Sequence, residues 1–353
     1  MSYAETVQLK IIFYLSRHDP PAPAVKIYSL GAAGLDEALL SQPDPFIQPR
    51  CRVIKDEKKI KVGFIPMRIG GEIKNVYMKQ HNALSIGHRL ASFFLPSAAL
   101  RSLAGAVTLL QAGYATARPV AAVEHRNRGV LVKSFYFSEE ISGAKAVDNF
   151  WRENLVALRG PAGYRTRRAF LQALARLLSS LHRRNIYHND LKASNILIRN
   201  EQASLEQASM EGLFSLIDLQ GLRRCLYISK RRRVKNLAQL GRTLGQFLSQ
   251  SEKLYFLKAY GEFDSIGSEQ KRALINAILE ETKRQIVREN QHSMAQLLHD
   301  GLPVEPVAWA AESGRAHLEG SCATMLNNCK NLPVRGPLFD PSNQTKDVSG
   351  QRK

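Results

Sequence analysis

At 353 residues, 44% of them hydrophobic, the chain has the length to bury a core, to form two lobes and to carry tails. A formal net charge of +19 asks for acidic company, whether phosphorylated ligands, an anionic membrane surface or nucleic acid. It argues against a protein whose only partner is a neutral metabolite. Cys51, Cys225, Cys322 and Cys329 show no CxxC spacing, so free thiols in a reducing compartment are expected, with neither a disulfide framework nor a zinc site.

The first 50 residues hold Pro20, Pro21, Pro23, Pro43, Pro45 and Pro49, which break up long elements and predict an irregular N-terminal extension. The run from Lys10 to Leu15 is too short for a signal-peptide core, so no secretory leader is expected. From Cys51 the pattern turns to strands over 52–57 and 59–67, then a turn at Gly70-Gly71, then a strand over 75–81. In that third strand Val76 and Met78 point one way, Tyr77 and Lys79 the other.

Residues 91–110 are apolar enough to raise the question of a membrane span, but Pro96 and Arg101 interrupt them. Leu100, Leu103, Val107 and Leu110 recur at helical spacing, which predicts one packed helix. No Asp or Glu occurs from Gln80 to Val123. Residues 129–137 read as a strand leading to a polar connection at Ser138-Glu-Glu140, with the free backbone of a hinge expected near Phe135 to Ser138. The helix expected over 166–184 places Phe170, Leu174, Leu177, Leu178 and Leu181 on one face.

That helix leads into Ile186-Tyr-His-Asn-Asp190-Leu-Lys192-Ala-Ser-Asn195-Ile-Leu-Ile198, a polar loop between two apolar runs. Asp190 and Asn195 stand five apart, the spacing of the protein-kinase catalytic loop, whose Asp takes the acceptor proton and whose Asn holds magnesium. Twenty-three residues later the strand pattern Phe214-Ser-Leu-Ile217 ends in Asp218, where such a site puts its second metal ligand. Carboxylates and a carboxamide are hard donors that suit Mg2+ rather than zinc or iron.

In that order of elements Lys79 takes the place of the strand lysine that grips nucleotide phosphates, with Gly70 and Gly71 as candidate cofactor-binding residues in the covering turn. The helix glutamate that pairs with such a lysine must come from Glu57, Glu72 or Glu124, or be missing. After Asp218 come Leu219-Gln220, with Gly221 one place late, and then seven basic residues between Arg223 and Lys235. That run reads as a solvated face or as a surface for phosphorylated acceptors or anionic head groups. Helices are expected over 236–249, 252–260 and 268–288, and the tail from 331 reads as disordered.

The motifs His188-Asn-Asp190-Leu-Lys-Ala-Ser-Asn195-Ile-Leu and Leu216-Ile-Asp218-Leu-Gln, with Gly113-x-x-Thr116-x-x-Pro119, resemble the lipopolysaccharide core kinase family over roughly 50–260. These are the bacterial heptose and Kdo kinases, relatives of the eukaryotic-type protein kinases. The resemblance implies an α+β, two-lobed protein-kinase-like fold with a small antiparallel-sheet N-lobe at 51–138 and a mainly helical C-lobe at 139–300. Residues 1–50 and 301–353 would be extensions. It implies transfer of the γ-phosphoryl of ATP to a heptose or Kdo hydroxyl of the lipopolysaccharide inner core. Asp190 would take the acceptor proton, Lys192 would steady the transferred charge, Asn195 and Asp218 would hold magnesium, and Lys79 would hold the phosphates. The acceptor would be a lipopolysaccharide core or lipid A precursor, met by a cytoplasmic enzyme peripheral on the inner membrane. No nucleic acid is expected, for lack of aromatic-interleaved basic strands or zinc knuckles. Two other readings stand beside it: a serine/threonine protein kinase, for which Ala-Pro-Glu is absent, and a pseudokinase scaffold lacking the helix glutamate.

Overall fold

Alternating burial along the first third of the chain builds a seven-stranded sheet in which every neighbouring pair is antiparallel. The computed structural model describes residues 9–14, 24–30, 35–42, 44–83, 85–199, 213–263 and 267–299. Residues 201–211, a polar stretch between the two strands that flank it, and the C-terminal tail named above lie outside these residues. In order come β1 (Leu9–Tyr14), β2 (Ala24–Leu30), α1 (Glu37–Leu40), β3 (Arg52–Asp56), β4 (Ile60–Ile69) and β5 (Glu72–Asn82). Then follow α2 (Ile86–Ala91), α3 (Ala98–Gln111), β6 (Ala115–Thr116), β7 (Pro119–Asn127) and β8 (Val130–Glu139). The sheet order is β1-β2-β7-β8-β5-β4-β3.

The N-terminal segment is not the irregular extension its prolines suggest, because β2 pairs along β7 from Ala24↔Arg126 to Ser29↔Ala121. Its next stretch is needed as a lid. Ile65, Met67, Val76, Met78, Phe135 and Phe137 all bury on one sheet face, and Leu39, Leu40 and Phe46 cover them. Each such side chain removed from water contributes roughly 1.5–3 kcal/mol, so the sheet cannot leave that face open. Phe46 also explains Gly63, where a Cβ would lie 2.8 Å from its ring.

The other face carries Tyr77 and Lys79, as expected from the alternation, and takes α3. Of the apolar run at 91–110, Ala91 ends α2, 92–97 form a turn, and the packed helix is α3, which Ser97 Oγ caps by accepting from Leu100 N at 3.1 Å. The buried face of α3 is Ala99, Ser102, Leu103, Gly105, Ala106 and Leu109, while Leu110 is exposed. The predicted stripe therefore holds at Leu103 and in part at Leu100 and Val107 and fails at Leu110, while Leu109 and the small Ala99, Gly105 and Ala106 complete the buried face. A Cβ on Gly105 would sit 2.7 Å from the carbonyl oxygen of Leu219. No helix among the described residues is long and apolar enough to cross a membrane.

The second half is mainly helical: β9 (Ala144–Ala146), α4 (Val147–Phe150), α5 (Gly160–Arg183), β10 (Ile186–His188), β11 (Ile196–Arg199), β12 (Phe214–Leu216) and β13 (Leu222–Arg224). Three helices follow, α6 (Lys230–Thr243), α7 (Gln250–Phe263) and α8 (Ser268–His299). The five predicted apolar residues of α5 are all buried. Phe170 stacks on Phe150 at 5.7 Å and meets Phe214 edge-on at 5.7 Å, locking α5 to α4 and to β12. The strand expected over 129–137 runs to Glu139, and Glu140 N still donates to the Asn75 carbonyl at 2.8 Å, so the connection expected from Ser138 starts beyond Glu140.

Two outcomes follow from this packing. Gly105→Val should lower the unfolding free energy by about 1–3 kcal/mol, read by chemical denaturation, since the added atoms meet backbone rather than space. His182 bridges Tyr260 (Nδ1, 2.9 Å) and Asn236 (Nε2, 3.2 Å) in the helical core. Burial pulls its pKa from 6.5 down to about 4, opposed by the Asn236 bond and assisted by the charge of Arg233. The unfolded chain therefore takes up this proton below 6.5 and the folded chain only near 4. Stability should be full above that upper value and decline as pH falls through the window, on the order of 1 kcal/mol per pH unit. Urea midpoints at neutral pH and near pH 5 should show a smaller decline for His182→Gln.

Candidate active site

The loop from His188 to Asn195 lies between β10 and β11, and its geometry is set by backbone bonds. Asn195 Nδ2 donates to the Asp190 carbonyl at 2.8 Å and to Asp190 Oδ2 at 3.1 Å. This commits the amide nitrogen and leaves Oδ1 without a donor among the described residues. Lys192 Nζ lies 3.1 Å from Asp190 Oδ2, with both side chains partly exposed. The Asn195 carbonyl accepts from Ile217 N at 3.0 Å, which ties the loop to the residue before Asp218.

His188 makes the same connection from the other side. Its Nδ1 accepts from Asp190 N at 3.2 Å, so its Nε2–H donates to the Ile217 carbonyl at 3.1 Å. Burial lowers its pKa, opposed by the Ile217 bond and by the charges of Asp218 and Asp190, in keeping with a neutral ring. Thr116 Oγ1 donates to the Leu216 carbonyl at 2.6 Å, and β6 pairs in parallel with β12. The spacing Gly113-x-x-Thr116-x-x-Pro119 thus has a mechanical meaning. Gly113 turns at φ 79°, Thr116 grips the strand before Asp218, and Pro119 opens β7.

Asp218 sits at φ 59°, ψ 56°, the left-handed region, and its Oδ1 accepts from Lys79 Nζ at 2.7 Å. Burial pushes this carboxyl up, but the charge and hydrogen bond of Lys79, with His188 and His81, outweigh it and hold it below the usual carboxylate range. The three acids offered as partners for Lys79 are engaged elsewhere: Glu57 with Lys55 at 2.9 Å, Glu72 with Lys74 at 3.9 Å, and buried Glu124 with Arg126 at 3.0 Å. None of the three pairs with the lysine, and α3 offers no carboxylate. Gly221, one place late in sequence, packs on Asn189, where a Cβ would be 2.7 Å away.

Lys79, Asp218, Asn195, Asp190 and Lys192 are thus brought together, while Gly70 and Gly71 are not. Those glycines, at φ 60° and 88°, close the β4–β5 hairpin where Ile69 faces Glu72. Lys79 faces Val62 near the other end, eight residues and roughly 25 Å of strand away. The turn on the lysine side is Glu57-Lys58-Lys59, closed by reciprocal backbone bonds between Glu57 and Ile60. The glycines serve the hairpin, because two successive positive φ angles suit its turn.

Sequence reading missed the residues that hold the loop. On α6, Asn236 Nδ2 donates to the His188 carbonyl at 2.6 Å, and Gln239 Nε2 to the Asn189 carbonyl at 2.8 Å. Gln239 Oε1 accepts from Leu191 N at 3.1 Å and Thr243 Oγ1 from Ala193 N at 2.9 Å. The signal was present: Asn236, Gln239 and Thr243 are polar at i, i+3 and i+7 on a helix face that otherwise carries Leu237 and Leu240.

As a donor set, one carboxylate and one carboxamide oxygen suit a hard divalent ion that keeps other oxygens around it. No group of three or more His, Cys, Asp or Glu gathers among the described residues, so such an ion would complete its shell from phosphate or water.

A small antiparallel-sheet lobe carrying a lysine, joined to a helical lobe carrying an Asp…Asn loop and a second Asp, defines a phosphotransferase of the protein-kinase-like class. The model of the lipopolysaccharide kinase (Kdo/WaaP) family matches residues 76–260, more than half of the chain. The chain belongs to that family, and is a kinase with an alcohol group as acceptor. It is 28% identical over 195 residues to the lipopolysaccharide core heptose(I) kinase WaaP of Pseudomonas aeruginosa PAO1, covering 53% of this chain and 69% of that one. A solved structure of WaaP in complex with acyl carrier protein is 23% identical, with a TM-score of 0.47, covering 66% of this chain and 88% of that chain.

Gln239→Leu should leave the Leu191 amide buried without a partner and remove the bond to the half-buried Asn189 carbonyl. We expect a loss of about 1–3 kcal/mol in stability by denaturant titration, together with reduced order of the 188–195 loop by amide hydrogen exchange.

Proposed function

We propose that the protein transfers the γ-phosphoryl group of ATP, with Mg2+, to a heptose or Kdo hydroxyl of the lipopolysaccharide inner core at the cytoplasmic membrane surface. The observation that carries this reading is the convergence of Lys79, Asp218, Asn195 and Asp190 through a connected set of hydrogen bonds, in a chain of the Kdo/WaaP family. Asp190 serves as the acceptor of the sugar hydroxyl proton. Its carboxylate is partly exposed, as a group that must meet an incoming substrate has to be. Lys192, held against Asp190 before substrate arrives, is free to swing onto the transferred group and steady its charge.

Asn195 Oδ1 and Asp218 are the oxygens that hold the metal, which when bound neutralises charge on the phosphate oxygens. Lys79 binds the α- and β-phosphates, and Asp218, its partner at 2.7 Å, stands beside them for the metal. The net charge of +19 complements an acceptor rich in carboxylates and phosphates at an anionic leaflet.

A second reading, a scaffold that kept the fold without catalysis, draws on the absence of any acid on α3. Radiolabelled ATP with lipid A–core acceptor separates the two. We expect Mg2+-dependent transfer by the wild type and a loss of about 10²–10⁴-fold in Asp190→Asn, as for removal of a general base. A wild type that shifts its melting temperature with Mg2+ and ATP yet labels neither core nor protein would sink the kinase reading. Labelling of protein substrates in place of the core would move the acceptor class to proteins.

A further inference from the structure

Large apolar side chains scattered singly on a surface call for no explanation, but contiguous ones do. Two such tips occur here. Phe93, Phe94 and Leu95 are 53%, 89% and 59% exposed in the turn between α2 and α3, and Leu226 and Tyr227 are 102% and 69% exposed after β13.

Neither tip hangs loose. The first is braced from both sides: Phe94 N and Leu95 N donate to the Ala91 carbonyl, and Arg126 Nη1 donates to the carbonyls of Ser92 at 3.2 Å and Gly129 at 2.9 Å. The second is anchored at both stems to Asn185, whose carbonyl accepts from Cys225 N at 2.8 Å and whose Oδ1 accepts from Ile228 N at 3.2 Å. Ile228 is fully buried, which fixes the outward turn of its two neighbours.

One side chain joins the two. Arg101, on α3, donates from Nη1 to the Pro96 carbonyl at 2.7 Å and from Nε to the Gln220 carbonyl at 3.4 Å. It ties the base of the first tip to the segment that runs into the second. The ground around them is basic, with Arg89, Arg101, Arg128, Arg223, Arg224, Lys230 and Arg231 all exposed. The Arg223 charge acts on Arg101, and the first turn of α6 carries basic residues at the positive end of its helix dipole with no acid among them. Between Gln80 and Val123 there is no acid either.

Apolar and aromatic tips standing out of a basic field match an anionic bilayer, whose interface takes Phe, Leu and Tyr while its head groups take Arg and Lys. We propose that Phe93-Phe94-Leu95 and Leu226-Tyr227 insert into an anionic lipid leaflet and dock the protein there through the surrounding arginines and lysines. The inference rests on the reading above in which the acceptor is part of a lipid leaflet, and it adds the face that meets that leaflet. Because β13 pairs with β10, His188 opposite Leu222, such docking would hold the Asp190 loop next to the head-group layer.

The test is sedimentation of the full chain with vesicles of phosphatidylcholine alone, or of three parts phosphatidylcholine to one part phosphatidylglycerol. A parallel assay measures phosphorylation of a deacylated, soluble core oligosaccharide. Wild type should favour the anionic vesicles by about tenfold or more, less so at high salt. A Phe94→Ser, Leu226→Ser double variant, both changes at exposed positions, should lose about tenfold of that binding while keeping its melting temperature and its rate on the soluble acceptor. Arg224→Glu with Arg231→Glu should lose it too. Equal binding to both vesicle types, double-variant binding equal to wild type, or retention by a protein partner but by no vesicle would each overturn the inference. Loss of the soluble-acceptor rate in the double variant would also overturn it, by placing the tips in the site or the fold. Tip-dependent vesicle binding with no phosphate transfer to the soluble core would support the docking face and count against the proposed acceptor instead.

Discussion

A catalytic loop of this kind carries a structural cost: its backbone runs through the protein without belonging to a helix or a broad sheet. Buried amides and carbonyls without partners are expensive, and those of Asn189, Leu191 and Ala193 are met by side chains of α6 rather than by neighbouring strands. Asn236 adds the His188 carbonyl and shares its own oxygen with His182 from α5. The polar stripe of α6 is therefore the constraint on which the site depends. With it, Asp190 and Asn195 have one position each; without it, the loop would have to open to water to satisfy itself.

The same economy governs the contact between the lobes. Helix α3 is the element from which a kinase-like site usually draws its glutamate, and here it supplies closeness instead. Ala99, Gly105 and Ala106 let it lie against the sheet and against Leu219, just beyond Asp218. Lys79 then meets Asp218 directly at 2.7 Å. A half-buried ion pair of this sort gives modest net stability. Its effect is geometric: it fixes the strand lysine against the residue that follows Ile217. The acid-free stretch thus accompanies a lysine whose ion-pair partner among the described residues is Asp218.

Around that centre the molecule spends its charge unevenly. The few acids of the site work in pairs with lysines, whereas the segment after Asp218 concentrates arginine and lysine with exposed Leu226 and Tyr227. A surface that combines positive charge with built-in apolar tips is poorly suited to bulk water and well suited to a lipid interface. The β10–β13 pairing joins this segment to the loop, which links where the protein sits to what it can reach.

Much of this was legible in residue order. The Asp190–Asn195 spacing, the strand ending at Asp218, the alternation around Lys79 and the leucines of α5 all depend on local periodicity, and the structure agrees with each pattern. What failed were inferences that needed a partner from far along the chain. The prolines before residue 50 hid a strand, because β2 joins the main sheet by pairing with β7 almost a hundred residues later. The leucine stripe of α3 erred at Leu110, because close packing on Leu219 brings Gly105 and Ala106 inward and turns that leucine out. Gly70 and Gly71 looked like a phosphate loop, yet a hairpin's register, not its composition, decides which end lies near a lysine. The sequence by itself marked the candidate groups, since carboxylate, amide and ammonium are written in side chains and their spacing. Only the tertiary structure decided which of them meet and what holds them there, because hydrogen bonds across forty to a hundred and forty residues form only after the chain has packed.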